Sequence, residues 1–121
     1  MKKILIVDDD YEIREILATY LSENNFDTET AENLKTAGLK LASFKPDLIL
    51  LDMNLPDGAG NDFLREMNKK NISIPVIMVT GITEKDIALE SIKLGATDYI
   101  TKPIDLDYLS TSVISKLMTI L

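Results

Sequence analysis

The stretch Leu48-Ile49-Leu50-Leu51-Asp52 decides the fold. Four apolar residues in a row, with no alternation, read as a strand buried on both faces, the habit of parallel sheets. The acid that ends the run marks where the strand leaves the core. The same arrangement recurs on either side. Ile4-Leu5-Ile6-Val7 runs into Asp8-Asp9-Asp10, Val76-Ile77-Met78-Val79 into Thr80-Gly81, and Tyr99-Ile100 into Thr101-Lys102-Pro103. In open α/β sheets, ligands bind just beyond the carboxyl ends of the strands. Folding is therefore expected to gather Asp8, Asp9, Asp52, Thr80 and Lys102 into one cleft. Oxygen donors without softer partners suit a hard cation such as magnesium, and a lone lysine opposite them suits a phosphoryl group.

Between these strands the apolar spacing turns helical. Ile13, Ile16, Leu17, Tyr20 and Leu21 form one stripe, which Asn24-Asn25 ends, and the chain from Phe26 to Thr30 alternates as a strand would. Leu34, Ala37, Leu41 and Phe44 mark a second helix, interrupted by Gly38 at a cost of roughly 1 kcal/mol relative to Ala. Pro46-Asp47 stops it. Residues 55–60 form a turn-rich loop, and Phe63, Leu64 and Met67 signal a third helix that breaks near Asn71. Thr83 and Asp86 resemble a capping box opening a fourth helix that carries Ile87, Ala88, Ser91 and Ile92, with Gly95 at its C′ position. Leu106, Leu109, Val113 and Leu117 stripe the last helix.

Five β-α units predict a parallel five-stranded sheet covered by helices on both faces. Right-handed crossovers with the first strand in the middle give a flavodoxin-like (βα)5 three-layer sandwich, strand order 2-1-3-4-5. A closed barrel needs eight such units, more than 121 residues supply. Residues 1–121 are expected to form one domain.

The absences narrow the chemistry. With no Cys, disulfides and thiolate chemistry are excluded; with no His, so are imidazole ligands and histidine acid–base catalysis. A net charge of −7 argues against gripping a nucleic-acid backbone directly. That charge is lopsided, since residues 1–32 hold nine acids against Lys2, Lys3 and Arg14. No apolar run approaches the ~20 residues that span a bilayer. Met1-Lys2-Lys3 leads straight into a strand with no room for a signal peptide, so a cytoplasmic location is expected.

Each site residue has a blander role to weigh. Asp is a favoured N-cap and acids suit a helix start, which accounts for Asp10. Three in a row repel one another beyond what capping needs, which leaves Asp8 and Asp9 for function. An acid ending a central strand is costly unless solvated, paired or metal-bound, and Asp52 is such an acid. Thr80 and Lys102 mean little singly; their value lies in following their strands by zero to two residues. Tyr99 reads as a partly buried aromatic at the sheet edge and Thr101 as structural.

The motifs Ile4-Leu5-Ile6-Val7-Asp8-Asp9-Asp10, Leu51-Asp52-Met53-Asn54-Leu55-Pro56, Val79-Thr80-Gly81 and Gly95-Ala96-Thr97-Asp98-Tyr99-Ile100-Thr101-Lys102-Pro103 follow one another across the whole chain. In this the chain resembles the receiver domain of bacterial two-component response regulators. The resemblance implies a signalling phosphoacceptor that catalyses only its own phosphorylation and dephosphorylation. It makes Asp52 the acceptor. Mg2+ would be held by Asp9, Asp52 and the backbone carbonyl of Asn54, with Asp8 reaching it through water. Lys102 would pair with Asp52 and then with its phosphate, Thr80 would bond a phosphoryl oxygen, and Tyr99 would change rotamer on activation. The Lys102-Pro103 bond would be cis. Asn54 and Ile82 would bear on phosphate lifetime.

The partners it implies are a sensor histidine kinase or a histidine phosphotransfer protein, and an output protein or domain of unknown kind. Dimerisation through the fourth helix, fifth strand and fifth helix would accompany phosphorylation. The chain is expected to be either a stand-alone regulator or a piece of a longer one, and its apolar run from Leu117 to Leu121 suggests a covering partner. Two alternatives remain. One is a pseudo-receiver that binds partners without phosphorylation, disfavoured by the intact acid, Thr and Lys set. The other is a haloacid-dehalogenase-like phosphatase, whose nucleophile normally lies on the first strand with a second Asp two residues on, where this chain has Asn54.

Overall fold

A computed structural model describes residues 1–118; residues 119–121, most of the apolar terminal run and the end of the expected 1–121 unit, lie outside the described residues. The elements follow in the order β1 (Lys3–Val7), α1 (Tyr11–Glu23), β2 (Asp27–Ala31), α2 (Leu34–Phe44), β3 (Leu48–Leu51), β4 (Asn54–Leu55), β5 (Gly58–Ala59), α3 (Gly60–Lys69), β6 (Val76–Thr80), α4 (Lys85–Lys93), β7 (Asp98–Thr101) and α5 (Leu106–Met118).

The main sheet is parallel throughout, with order β2-β1-β3-β6-β7. This is the expected 2-1-3-4-5 order once β4 and β5, a separate antiparallel hairpin, are counted. The fold is flavodoxin-like. Strand side chains alternate between two apolar layers. Leu5, Val7, Ile49, Leu51, Val76 and Met78 face Phe63, Leu64 and Met67 of α3 and Leu34 and Leu41 of α2. Ile4, Ile6, Leu48, Leu50, Ile77 and Val79 face Leu17 and Leu21 of α1 and Leu109, Val113 and Leu117 of α5. β1, β3 and β6 are buried along almost their whole length, which is why their sequences do not alternate.

Three local expectations are revised. Ile16, placed on the buried stripe of α1, is 51% exposed. The second strand is shifted by one residue, to Asp27–Ala31. The fourth helix opens at Lys85 with Glu84 as N-cap and no side-chain cap bond, so Thr83 and Asp86 form no capping box. The cause lies just upstream: Ile82 N–H donates to Thr80 Oγ1 (3.3 Å) and its carbonyl accepts from the Tyr99 hydroxyl (2.7 Å), which holds this loop against the strands. Asp10, by contrast, caps α1 as expected, accepting from Glu12 and Ile13 N–H.

Candidate functional site

Register sets the site. Val7 pairs with Leu51 and Leu51 with Met78, so β1, β3 and β6 reach the same edge nearly level, and Thr80 pairs with Thr101. The residues that follow must emerge side by side. Asp52 N–H donates to the Val7 carbonyl at 2.9 Å and Lys102 N–H to the Thr80 carbonyl at 2.9 Å, carrying the ladder one step past the strand ends. Asp8, Asp9 and Asp52 thereby bring one carboxylate oxygen each within 4.8 Å of one another. Asp8 and Asp52 are buried and Asp9 is exposed, so the cluster is open on one side.

The Lys102 ammonium lies 2.8 Å from Asp8 Oδ2 and 3.2 Å from Asp52 Oδ2. Lys102 follows β7, and the bond to Pro103 is cis. The pair with Asp52 is present, but the lysine is shared and sits nearer Asp8. Asp8 is engaged at both oxygens, since Oδ1 accepts from Asp10 N–H at 2.9 Å. Its carbonyl accepts from the Arg14 guanidinium at 2.8 Å, which fixes the acidic loop to α1.

Burial pushes the Asp8 carboxyl above its ordinary range, and the nearby Asp52 charge adds to this, against the lowering effect of Lys102 and the Asp10 N–H. Burial likewise works against the charged Lys102, but hydrogen bonding to Asp8 and the two carboxylate charges outweigh it and raise its pKa. The two ends of one ion pair thus disagree in sign. Lys102 has two anions to one cation, whereas Asp8 shares its cation with a second carboxylate. The cluster is short of positive charge. Hard oxygen donors, an open face and that deficit fit a divalent cation such as Mg2+.

Thr80 is buried at 1% exposure at the end of β6. The Tyr99 ring points toward the β6–α4 loop through its bond to Ile82, and burial followed by the Asp52 and Glu84 charges raises its pKa. Asn54 begins the hairpin two residues after Asp52, its side chain exposed. Thr101 is an exposed strand-end residue.

Sequence reasoning missed the support behind Asp52. Gly60 N–H donates to the Met53 carbonyl at 2.7 Å, and any Cβ at Gly60 would collide with the Asp52 carbonyl oxygen. Glycine is required there by close approach, not by φ. It also missed Asp57 at the hairpin tip, whose carboxylate accepts from Leu34 and Lys35 N–H (2.8 and 3.0 Å) and caps α2 from outside. The Pro56-Asp57-Gly58 turn composition was the available signal, but it does not name a partner so distant in sequence.

Comparison with known proteins gives a consistent result. Residues 4–114 match the family model described as the response regulator receiver domain. Over 116 residues the chain is 41% identical to the response regulator protein PilR of Pseudomonas aeruginosa, covering 96% of this chain and 26% of that protein. A two-component response regulator from Clostridium difficile superposes with a TM-score of 0.92 at 32% identity, covering 98% of this chain and 97% of that one. A Francisella response regulator receiver domain does so with a TM-score of 0.94 at 30% identity and full coverage of both. The chain spans only between 24% and 48% of the length of the curated relatives it matches.

Proposed function

The chain belongs to the response regulator receiver domain family, and on that premise we propose that Asp52 accepts a phosphoryl group from a phosphohistidine on a partner kinase or phosphotransfer protein. The observation that carries this is the Lys102 ammonium bridging Asp8 and Asp52 at the carboxyl edge of a parallel sheet, with Thr80 buried beside it. Lys102 takes Asp52 Oδ2, which leaves Oδ1 to attack. The bond from phosphorus to the donor nitrogen breaks as the bond to Oδ1 forms, and the electron pair leaves with the imidazole. Both reactants are anionic, so the barrier is largely electrostatic and positional.

Asp8, Asp9, Asp52 and the Asn54 carbonyl would hold Mg2+, with Asp8 acting through water because both its oxygens already have protein partners. When bound, the ion supplies positive charge against the phosphoryl oxygens. Lys102 would pass from Asp52 Oδ2 to a phosphoryl oxygen. Thr80 Oγ1, now accepting from Ile82 N–H, would donate to another. That change pulls on the loop where Tyr99 is anchored, so the surface of α4, β7 and α5 would report the phosphorylated state to an output partner or a second copy. A cytoplasmic setting agrees with this role. Among the described residues no helix is long and apolar enough to cross a membrane.

Incubation with acetyl phosphate and magnesium should add one acid-stable, base-labile phosphoryl group by intact mass. Asp52→Ala should abolish it. A phosphoryl group mapped to Thr80 or Thr101, or none at all, would overturn the assignment; the second outcome would favour a pseudo-receiver.

A further inference from the structure

Asn61 on α3 and Ser91 on α4 meet between their helices, at 5% and 0% exposure. The Ser91 hydroxyl donates to Asn61 Oδ1 over 2.8 Å. Two more polar contacts continue the line. Arg65 pairs with Glu90, and Asn68 Nδ2 donates to the Leu94 carbonyl over 2.9 Å. Residues 61, 65 and 68 stand at i, i+4 and i+7, a single stripe of α3.

The two ends of this seam differ in what they are tied to. α3 begins against the backbone of Asp52, through Gly60. α4 is reached from the other side by the loop bonded to Thr80 and Tyr99 through Ile82. A shift of Thr80 toward Asp52 therefore pulls the start of α4, while the seam holds its flank to a helix fixed at the phosphoacceptor.

We propose that the Asn61–Ser91 seam is a brake that locks α4 in one register on α3 and sets the threshold for its displacement. This rests on the phosphoacceptor reading above. Apolar contacts weaken gradually as helices slide, whereas a buried hydrogen bond fails within about an ångström and leaves a desolvated group. The seam thus makes the movement of α4 two-state. The pair is also asymmetric. Ser91 has a fallback acceptor, the Ile87 carbonyl at 3.2 Å, while Asn61 Oδ1 has no other donor among the described residues.

The test is amide hydrogen exchange of the unphosphorylated protein. Asn61→Leu with Ser91→Ala keeps side-chain shape and leaves no orphan. Amides of α4 should exchange about tenfold faster, with α1 and α5 unchanged. Ser91→Ala alone should melt lower than the double variant, because Asn61 Oδ1 stays buried without a donor. Wild-type exchange in α4 of the double variant, or equal acceleration in all helices, would overturn the brake. Arg65→Gln with Asn68→Ala, at the accessible end of the seam, should give a smaller acceleration confined to α4. Should the double variant fail to fold, unchanged α4 exchange in this second pair overturns the proposal. Phosphoryl incorporation by intact mass in parallel judges the phosphoacceptor reading separately, since the exchange comparison needs no phosphate.

Discussion

Lys102 serves two buried carboxylates at once, and much of the site's behaviour follows from that ratio. Asp8 and Asp52 have side chains only 3% and 7% exposed. Removing one member of a buried ion pair is costly because it leaves a desolvated charge without a partner. Lys102→Ala should therefore lower stability by about 3 kcal/mol in metal-free buffer. Asp8→Asn should act in the opposite direction, raising the melting temperature at neutral pH, since it relieves the repulsion with Asp52 while leaving Lys102 a partner. Asp8→Asn should stabilise the Lys102→Ala background by more than it stabilises the wild type, because Asp8 is the nearer carboxylate that Lys102 no longer neutralises. Urea titrations of the two single variants and the double complete the cycle, and an Asp8→Asn effect of equal size in both backgrounds would mean that Lys102 does not couple to Asp8. Asp8, Asp9, Asp52, Thr80 and Lys102 were all legible in the sequence as polar residues at strand ends. The sharing of Lys102 was not, because it depends on how far apart Asp8 and Asp52 finish across the β1–β3 register.

At the scale of elements, the informative device is the hairpin β4–β5 and its Asp57. Two-residue strands carry no periodicity, so residues 55–60 read from sequence only as a turn-rich loop. The partners of Asp57 lie 23 and 22 positions upstream, beyond any capping pattern. Hydrogen bonding from Leu34 N–H, then from Lys35, holds the Asp57 carboxyl below its ordinary range. A depressed folded pKa stabilises above the unfolded value, near 3.8, and is lost as pH falls through the lower folded one. Asp57→Asn should thus lower the melting temperature at pH 7 by an amount that shrinks as pH drops below about 4. A pH-independent difference would rule out the charged cap. The helix that Asp57 caps carries another anomaly. An added Cβ at Gly38 meets nothing within 4 Å, so packing does not demand glycine there. Gly38→Ala should raise stability by about 1 kcal/mol, measured by chemical denaturation; a loss would show a constraint that the surrounding space does not reveal. Thr83 gives the converse lesson. A local capping pattern was overridden by Thr80 and Tyr99, whose bonds to Ile82 join strands to loop and cannot be seen in a window of four residues.

For the whole molecule, the order of strands was legible because three apolar runs of four residues, with shorter strand signals between helical stripes, admit few topologies. That topology alone brings the acids together: β1 and β3 are adjacent in the centre, so Asp8, Asp9 and Asp52 must emerge side by side. The interlock between α3 and α4 stayed hidden, since Asn61 and Ser91 are 30 residues apart and each reads as an ordinary helical polar residue. The fold's rigidity turns the acidic edge into a stored electrostatic cost, because the sheet core will not relax to separate the carboxylates. A cation that binds only the folded state should then stabilise the entire domain by linkage. Magnesium at a hundredfold over its dissociation constant would add about 2.7 kcal/mol, roughly 10 °C in melting temperature for a domain of this size. Sodium chloride at equal ionic strength should do far less, since screening acts mainly on exposed charges, and of the three acids only Asp9 is exposed. Asp52→Asn should melt higher than wild type without metal and gain less when magnesium is added. Thermal melts across a magnesium titration measure both. A wild-type midpoint that does not move with magnesium would remove the metal site, and with it the electrostatic basis proposed for phosphoryl transfer at Asp52.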